Sequence, residues 1–156
     1  MNTTNSSILW SDDFLLGFGP MDETHQEFVA CIAAIQNAAP QDCLVLMDQL
    51  LEHATTHFNQ EDDWMITTGF PPRTCHMDEH AAVLASIQGV RALAIQGATE
   101  KCRPLANELA RWFPSHADHL DSALSHWMCK IKYDAQPLVF KRSVSHVKGV
   151  IPIDSP

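Results

Sequence analysis

The 156-residue sequence predicts an all-α protein built from four consecutive helices. Apolar residues recur at intervals of three and four along most of the chain, which is the period of an amphipathic helix. Glycine and proline residues separate these segments, and no apolar–polar alternation typical of a strand competes with them. With 46% hydrophobic residues, the chain is long enough for one domain with a sizeable core.

An N-terminal arm precedes the first predicted helix. The arm covers residues 1–19 and ends in a cluster of glycines just before Pro20. The first helix follows, with Asp22 as its expected N-cap. The second helix is predicted from about residue 42 to residue 68, where Gly69 suits a C-terminal stop.

The third and fourth predicted helices complete the domain. The third runs from about residue 73 to residue 96 and ends at Gly97. The fourth begins near Pro104, a proline suited to a first helical turn, and continues to Trp127. Pro114 interrupts this last pattern, so a kink or a broken turn is expected there.

The end of the chain differs in composition from the helices. Residues 133–156 contain several valines, three prolines and basic side chains, which predicts irregular or extended polypeptide. We expect this extension to pack on the helices or on a neighbouring subunit. The predicted organisation is therefore a helical domain over residues 1–132, arm included, and a C-terminal extension over residues 133–156 that is not an independent domain.

The charge and the hydropathy pattern exclude several classes of partner. A formal net charge of −9 argues against a nucleic-acid surface and against binding to anionic lipid. No apolar run approaches the roughly 18 to 20 residues that a membrane span needs. The N-terminal residues lack the pattern of a secretory signal, so we expect a cytoplasmic protein with no membrane partner. The sequence does not indicate a protein partner.

Histidines and carboxylates recur at metal-ligand spacing along the four predicted helices. Side chains four residues apart on a helix project to the same side. One such pair is weak evidence, but ligands on four consecutive helices are the arrangement from which metal sites in bundles are built. The seven candidate ligands are His25, His57, Glu61, His76, His80, His116 and Asp121.

This ligand set suits a bridged pair of non-haem iron ions. Each carboxylate can bridge two cations through its two oxygens, and five imidazoles complete the set while leaving one metal with an open position. The donor types alone also permit manganese or zinc. His116 and Asp121 are five residues apart, about 140° of rotation on a regular helix, so we expect the break near Pro114 to bring them together.

Four further histidines, His53, His119, His126 and His146, fit no ligand pair and are expected at the surface or beside the ligands. His53 lies one turn before His57. It is therefore a candidate for a hydrogen bond to a ligand.

The segments around the candidate ligands carry a family likeness. They are WSDDFLLGFGPMDETH at residues 10–25, HFNQEDDWM at 57–65, GFPPRTCHMDEH at 69–80 and WFPSHADHLD at 112–121. They resemble the bacterial hemerythrin patterns W, G and D-x-x-H; H-F-x-x-E-x-x-M; G-Y-P with H-x-x-x-H; and H-x-x-x-x-D. The resemblance covers residues 10–132.

The resemblance implies an up-down-up-down four-helix bundle with two iron ions (Fe²⁺/Fe³⁺) and a bridging oxo or hydroxo group. It assigns His76, His80 and His116 to one iron, His25 and His57 to the other, and Glu61 and Asp121 to both. Dioxygen would bind reversibly at the open iron, for storage, delivery or sensing. This favours an oxygen-binding protein over an enzyme.

The sequence departs from the family pattern near the expected oxygen pocket. Phe113 stands where the family usually has a leucine that lines this pocket, and Pro114 and His119 are further departures. The alternatives are a diiron redox enzyme that reduces peroxide or handles nitric oxide, and an oxygen or redox signalling module that uses the C-terminal extension.

Overall fold

Four antiparallel helical columns form a bundle in residues 6–142, the part of the chain that the computed structural model describes. This region contains no strand, which confirms the predicted all-α class. The columns are α1 (Gly19–Gln36), α2 (Cys43–Thr67), α3 (Arg73–Ile95), and a fourth column made of α4 (Cys102–His116), a π-helical segment (Ala117–Asp121) and α5 (Ser122–Tyr133).

Short connections determine the topology. Residues 37–42, 68–72 and 96–101 join the columns, and such short links make consecutive helices antiparallel neighbours. Each consecutive pair is in contact, and α4 packs back on α1 to close the ring. The up-down-up-down arrangement is therefore confirmed. No helix among residues 6–142 is both long and apolar enough to cross a lipid bilayer.

The start of α1 differs from the sequence expectation. Its N-cap is Phe18, which provides no side-chain hydrogen bond, and Asp22 lies within the first turn. The Asp22 carboxylate accepts hydrogen bonds from the backbone N–H groups of Leu16 at 2.8 Å and Gly17 at 3.0 Å. The prediction of Asp22 as N-cap was therefore wrong. This carboxylate instead binds backbone N–H groups of the arm, and its negative charge interacts favourably with the positive end of the helix dipole.

The irregularity in the fourth column lies beyond the proline. Helix α4 continues through Pro114, and the backbone N–H of Ser122 bonds to the carbonyl of Ala117, five residues earlier. Such i to i+5 bonding is the π-helical pattern, in which residues five apart lie above one another. The expected break is thus displaced from Pro114 to residues 117–121, where it places His116 and Asp121 on the same side of the column.

Two apolar clusters fill the bundle on either side of its middle. One contains Phe28, Ile32, Leu50, Ile87, Leu109 and Phe113, and the other contains Phe18, Met21, Met65, Phe70, Leu124 and Met128. The candidate ligands occupy the helical turns between these clusters. Met21 lies one turn before His25 and Phe28 about one turn after it, so the polar layer is closed by apolar side chains from both ends.

The beginning of the C-terminal extension packs on the arm. Gly17 has a φ of 87°, and a Cβ atom there would lie 2.6 Å from the Cβ of Pro137. The Asp12 carboxylate accepts hydrogen bonds from the backbone N–H of Arg142 at 2.7 Å and from its guanidinium at 2.8 Å. The described part of the extension therefore lies against the helical domain, and the predicted division at residue 132 stays a prediction.

Candidate metal centre

All seven candidate ligands lie together in the interior of the bundle. Each of these residues is at most 4% exposed. They come from α1, α2, α3 and the fourth column: His25; His57 and Glu61; His76 and His80; His116 and Asp121. Spacings of four on α2 and α3, and the π turn in the fourth column, direct each set of side chains inward.

The Glu61 carboxylate lies between two groups of imidazoles. Its Oε1 is 2.9 Å from Nε2 of His57 and 3.3 Å from Nε2 of His25. Its Oε2 is 3.2 Å from Nε2 of His80 and 3.4 Å from Nε2 of His76. Each oxygen therefore faces a different pair of nitrogen atoms, which is the arrangement of a bridging carboxylate.

The Asp121 carboxylate repeats this division. Its Oδ2 is 3.1 Å from Nε2 of His25, whereas its Oδ1 is 2.8 Å from Nε2 of His76 and 3.1 Å from Nε2 of His116. The donors thus form two groups. The three-histidine half has His76, His80 and His116 with Glu61 Oε2 and Asp121 Oδ1, and the two-histidine half has His25 and His57 with Glu61 Oε1 and Asp121 Oδ2.

The protein alone leaves many of these buried donor atoms without a hydrogen-bond partner. They include Nε2 of His76, His80 and His116, Oε2 of Glu61 and both oxygens of Asp121. Buried polar atoms are normally satisfied, and leaving them unsatisfied is costly. Groups of donor atoms within 4.8 Å of one another occur in both halves, so the residues fit metal cations. Imidazole and carboxylate donors suit first-row transition metals, iron included.

Without a bound cation, protons on the imidazoles balance the negative charge of the buried carboxylates. Burial acts to lower the pKa of His25, but the adjacent carboxylates of Asp121 and Glu61 outweigh burial and raise that pKa to about 10. The same balance raises the pKa of His76 to about 9. Burial acts to raise the pKa of Glu61, yet the charge of His57 and hydrogen bonds with imidazoles hold it well below its usual range. Metal binding at this site must therefore displace protons.

The pKa of Asp121 is also lowered. Burial and the neighbouring Glu61 charge both act to raise it, but the imidazoles of His116, His25 and His76, which lie 2.8 to 3.1 Å from its oxygens, prevail. Both carboxylates therefore stay negatively charged inside the bundle, as a site for two cations requires.

Two carboxylates outside the seven candidates support the three-histidine half. Nδ1 of His80 lies 2.7 Å from Oδ1 of Asp62, and Nδ1 of His116 lies 3.2 Å from Oε2 of Glu79. Nε1 of Trp112 donates to the other oxygen of Glu79 at 3.3 Å. Neither Asp62 nor Glu79 was predicted from the sequence. Their positions in the sequence could have identified them. Each residue is adjacent to a candidate ligand, so its side chain projects beside the ligand-bearing face of the helix.

Aromatic edges surround the two-histidine half. Phe113 meets the ring of His25 at 5.1 Å between centroids and 82° between planes, and Phe28 meets His57 at 5.4 Å and 78°. Both phenylalanines are fully buried. Nδ1 of His25 and Nδ1 of His57 are buried without a hydrogen-bond partner. Phe113 thus lies beside the half where the open position is expected.

The remaining described histidines lie outside the donor groups. The ring of His53 meets His57 edge-on at 5.6 Å but makes no hydrogen bond to it, and its Nδ1 is 3.6 Å from Oε2 of Glu27. The candidate hydrogen bond from His53 to a ligand is therefore not formed. His119 and His126 are exposed, as expected. His146 lies outside the described residues.

A four-helix bundle with a buried layer of imidazoles and shared carboxylates defines a helical cation-binding protein. Residues 17–126 match the model of the Hemerythrin HHE cation binding domain, and the chain belongs to the hemerythrin family. This confirms the resemblance found in the sequence.

Individual relatives agree with this assignment. A bacteriohemerythrin of Ralstonia nicotianae (strain ATCC BAA-1114 / GMI1000) is 34% identical over 129 residues, which cover 83% of this chain and 94% of the relative. A bacteriohemerythrin of Stenotrophomonas maltophilia (strain R551-3) is 23% identical over 74% of this chain and 78% of its own length. A hemerythrin-like protein of Naegleria gruberi is 24% identical over 58% of this chain and 75% of its own length. No solved structure gives a significant match.

Proposed function

We propose that this chain is a non-haem diiron protein that binds dioxygen reversibly at the two-histidine half. The supporting observation is the unequal donor count of the two halves. Three imidazoles and two carboxylate oxygens converge on one side, but only two imidazoles and two carboxylate oxygens converge on the other. An iron ion with the smaller set keeps room for an exogenous ligand.

The proposed ligands are the seven buried side chains. His76, His80 and His116 would hold one iron, His25 and His57 would hold the other, and Glu61 and Asp121 would be shared by both, with an oxo or hydroxo group as a further bridge. When bound, the iron pair would supply the electrons for reversible dioxygen binding. Membership of the hemerythrin family supports iron over the other metals that the donor types permit.

The surroundings of the two-histidine half favour binding over turnover. Phe113 and Phe28 form a fully buried apolar wall beside His25 and His57. Such a wall excludes water and limits the delivery of protons to a bound ligand. We propose that Phe113 lines the oxygen pocket, and that the protein stores, delivers or senses dioxygen.

A diiron redox enzyme that reduces peroxide or handles nitric oxide is the second candidate. One observation favours it: His53 lies between the largely exposed Glu27 and the buried His57. This is a polar route from solvent toward the two-histidine half. Rapid turnover of peroxide or nitric oxide by the iron-loaded protein would support this candidate over reversible binding.

A signalling role is the third candidate, and the arm supports it. Phe14 of the arm packs on Phe113 at 5.4 Å, while Asp12 of the same arm binds Arg142 of the extension. The extension is thus connected to the site by direct contacts. Limited proteolysis that differs between the reduced and oxidised protein would support signalling, whereas identical digestion would argue against it.

The deciding experiment uses full-length protein loaded with Fe²⁺ without oxygen. Iron is counted, the protein is exposed to air, and the visible spectrum is followed through cycles of vacuum and air. We expect two irons per chain and a ligand-to-iron charge-transfer band that disappears under vacuum and returns in air. Immediate conversion to a stable oxidised spectrum would overturn reversible binding and favour the redox enzyme or the sensor. His119→Ala serves as a control that keeps its iron.

A further inference from the structure

We propose that Asp62 and Glu79 are positioning residues that make the three-histidine half the tighter metal position, so that metal fills it before the two-histidine half. The proposal rests on the ligand set of the proposed function, but it requires neither iron nor dioxygen. It concerns how two residues outside the ligand set orient the imidazoles.

Asp62 fixes the ring of His80. It follows Glu61 on α2, so it projects to the side of the ligand-bearing face and reaches across to His80 on α3, where Oδ1 lies 2.7 Å from Nδ1. An ionised carboxylate only accepts hydrogen bonds, so Nδ1 of His80 must carry the proton. The lone pair is then on Nε2, the atom that faces Glu61 Oε2 at 3.2 Å. Phe58 stacks on the same ring at 4.2 Å and 7°.

Glu79 acts in the same way on His116, across the interface between α3 and α4. Its Oε2 lies 3.2 Å from Nδ1 of His116, which leaves Nε2 unprotonated toward Asp121 Oδ1. Trp112 holds Glu79 in place through its Nε1 and also stacks on His116 at 4.2 Å and 30°. Each of these two imidazoles is therefore held by a carboxylate at its edge and an aromatic ring at its face.

The two-histidine half lacks this support. Nδ1 of His25 and Nδ1 of His57 are buried without a partner, so no hydrogen bond at Nδ1 fixes the tautomer that leaves Nε2 free for a metal. Phe113 and Phe28 meet His25 and His57 edge-on, and Phe58 is tilted by 46° against His57, so none of these rings lies flat on either imidazole. Nδ1 of His76 is also unpaired, so the difference between the halves comes from His80 and His116. A metal that binds the two-histidine half must itself fix the orientation of these rings, and this lowers its affinity.

Asp62 and Glu79 also place negative charge close to one half only. Each carboxylate is one imidazole away from the three-histidine position. Both are partly exposed, Asp62 at 23% and Glu79 at 42% of the side chain, so solvent screens part of this charge. Orientation is therefore the larger contribution, and carboxylates of this kind typically change metal affinity by about 10- to 100-fold.

The test is a titration of the metal-free full-length chain with Co²⁺ under nitrogen, followed by visible absorption and by equilibrium dialysis. We expect two separate binding steps in the unmodified protein. His116→Ala should remove the tighter step and His57→Ala the weaker one, which assigns each step to a half. Asp62→Asn and Glu79→Gln should each weaken the tighter step by about 10- to 100-fold while the weaker step changes less than about twofold.

Asp63→Asn and Asp78→Asn are the matched controls, since both remove the same charge from exposed neighbours of the tested residues. Both should leave the two constants unchanged. A purely structural role would appear as a lower unfolding temperature of the metal-free variant, which we do not expect for either carboxylate. Glu79→Asp, which keeps the acceptor, should restore part of the affinity lost in Glu79→Gln.

The proposal is overturned if Asp62→Asn and Glu79→Gln leave both constants within about twofold, weaken both steps equally, or do no more than the controls. Loss of the tighter step in His57→Ala would also overturn it. A chain that binds Co²⁺ in the expected order but fails to cycle with dioxygen would contradict only the proposed function. A chain that binds no Co²⁺ would contradict the ligand set on which both proposals rest.

Discussion

The two halves of the metal centre share both carboxylates but differ in what surrounds their imidazoles. In the three-histidine half, Phe58 stacks on His80, Trp112 lies over His116 at 30°, and an acidic side chain lies beside Nδ1 of each imidazole. In the two-histidine half, the neighbouring aromatic rings are edge-on or steeply tilted and Nδ1 has no partner. This contrast is the basis of our proposal that one half holds its metal more tightly than the other.

The difference follows from which side chains lie behind each half. Asp62 on α2 and Glu79 on α3 reach the imidazoles of His80 and His116 from partly exposed positions. The histidines of the other half come from α1 and α2, where the arm lies behind Phe113 through Phe14. An aromatic side chain of the arm thus lies behind the half that we propose for dioxygen, while acidic side chains flank the half that we propose holds its metal more tightly.

Removal of Glu61 should have the largest effect, because this residue is common to both halves. In Glu61→Ala, all four imidazoles that face its two oxygens lose a shared negative partner. We expect metal content to fall toward zero in both halves, measured by elemental analysis after desalting. His119→Ala should retain its metal. Full retention of iron in Glu61→Ala would contradict the bridging role.

Removal of the metals should have the next largest effect. A metal that binds only the folded chain stabilises it by about 2.7 kcal/mol when its free concentration is 100 times its Kd. Chelation should therefore lower the unfolding temperature, measured by calorimetry with and without a chelator. If the halves differ as proposed, a weak chelator should remove one metal well before the other. Simultaneous loss of both at every chelator strength would argue that the halves are equivalent.

A matched pair of buried phenylalanines tests whether the oxygen pocket lies beside Phe113. Phe113 meets His25, whereas Phe70 packs on Trp127 in the other apolar cluster. Phe113→Leu and Phe70→Leu should each cost about 1 kcal/mol of unfolding free energy, since part of the buried volume is lost. Only Phe113→Leu should change the rate at which the oxygenated protein oxidises, measured by visible absorption. Equal changes in the two variants would remove the argument for an oxygen pocket beside Phe113.

The arm should give the smallest effect. A side-chain hydrogen bond with Arg142 lowers the pKa of Asp12 below its ordinary 3.8, so this contact stabilises the fold above that pH and is lost as the pH falls through the lowered value. Arg142→Ala should slightly lower the unfolding temperature at pH 7. The difference should shrink in high salt and below about pH 4, because both conditions weaken the contact in the unmodified protein.

Hydrogen exchange locates the effect of Arg142→Ala. We expect faster amide exchange in the arm of this variant and an unchanged exchange rate in α3. Arg111→Ala is the control, since Arg111 is also exposed and paired with Glu108 on its own helix, away from the arm. An arm that exchanges equally fast in both variants would contradict the coupling between the extension and the arm.

Much of the site was predictable because helical spacing determines which side chains share a face. The pairs His57–Glu61 and His76–His80 project inward for this reason, and the structure brings them together as expected. His116 and Asp121 were recognised as candidates, but their spacing does not fit a regular helix. A kink or a broken turn at Pro114 was expected to align them, whereas a π-helical turn at residues 117–121 does so. Its position depends on packing against the other columns, which local sequence does not specify.

The sequence by itself determined the four helices and the seven candidate ligands, because periodicity and spacing are properties of each segment alone. The resemblance of its motifs to a known family indicated the family. Only the tertiary structure decided which carboxylate oxygen faces which imidazole, and that Asp62 and Glu79 support one half alone. These contacts cross between helices, so they depend on how each helix is rotated and shifted along its axis against its neighbours. That relative placement follows from packing of the whole core, which no single segment encodes.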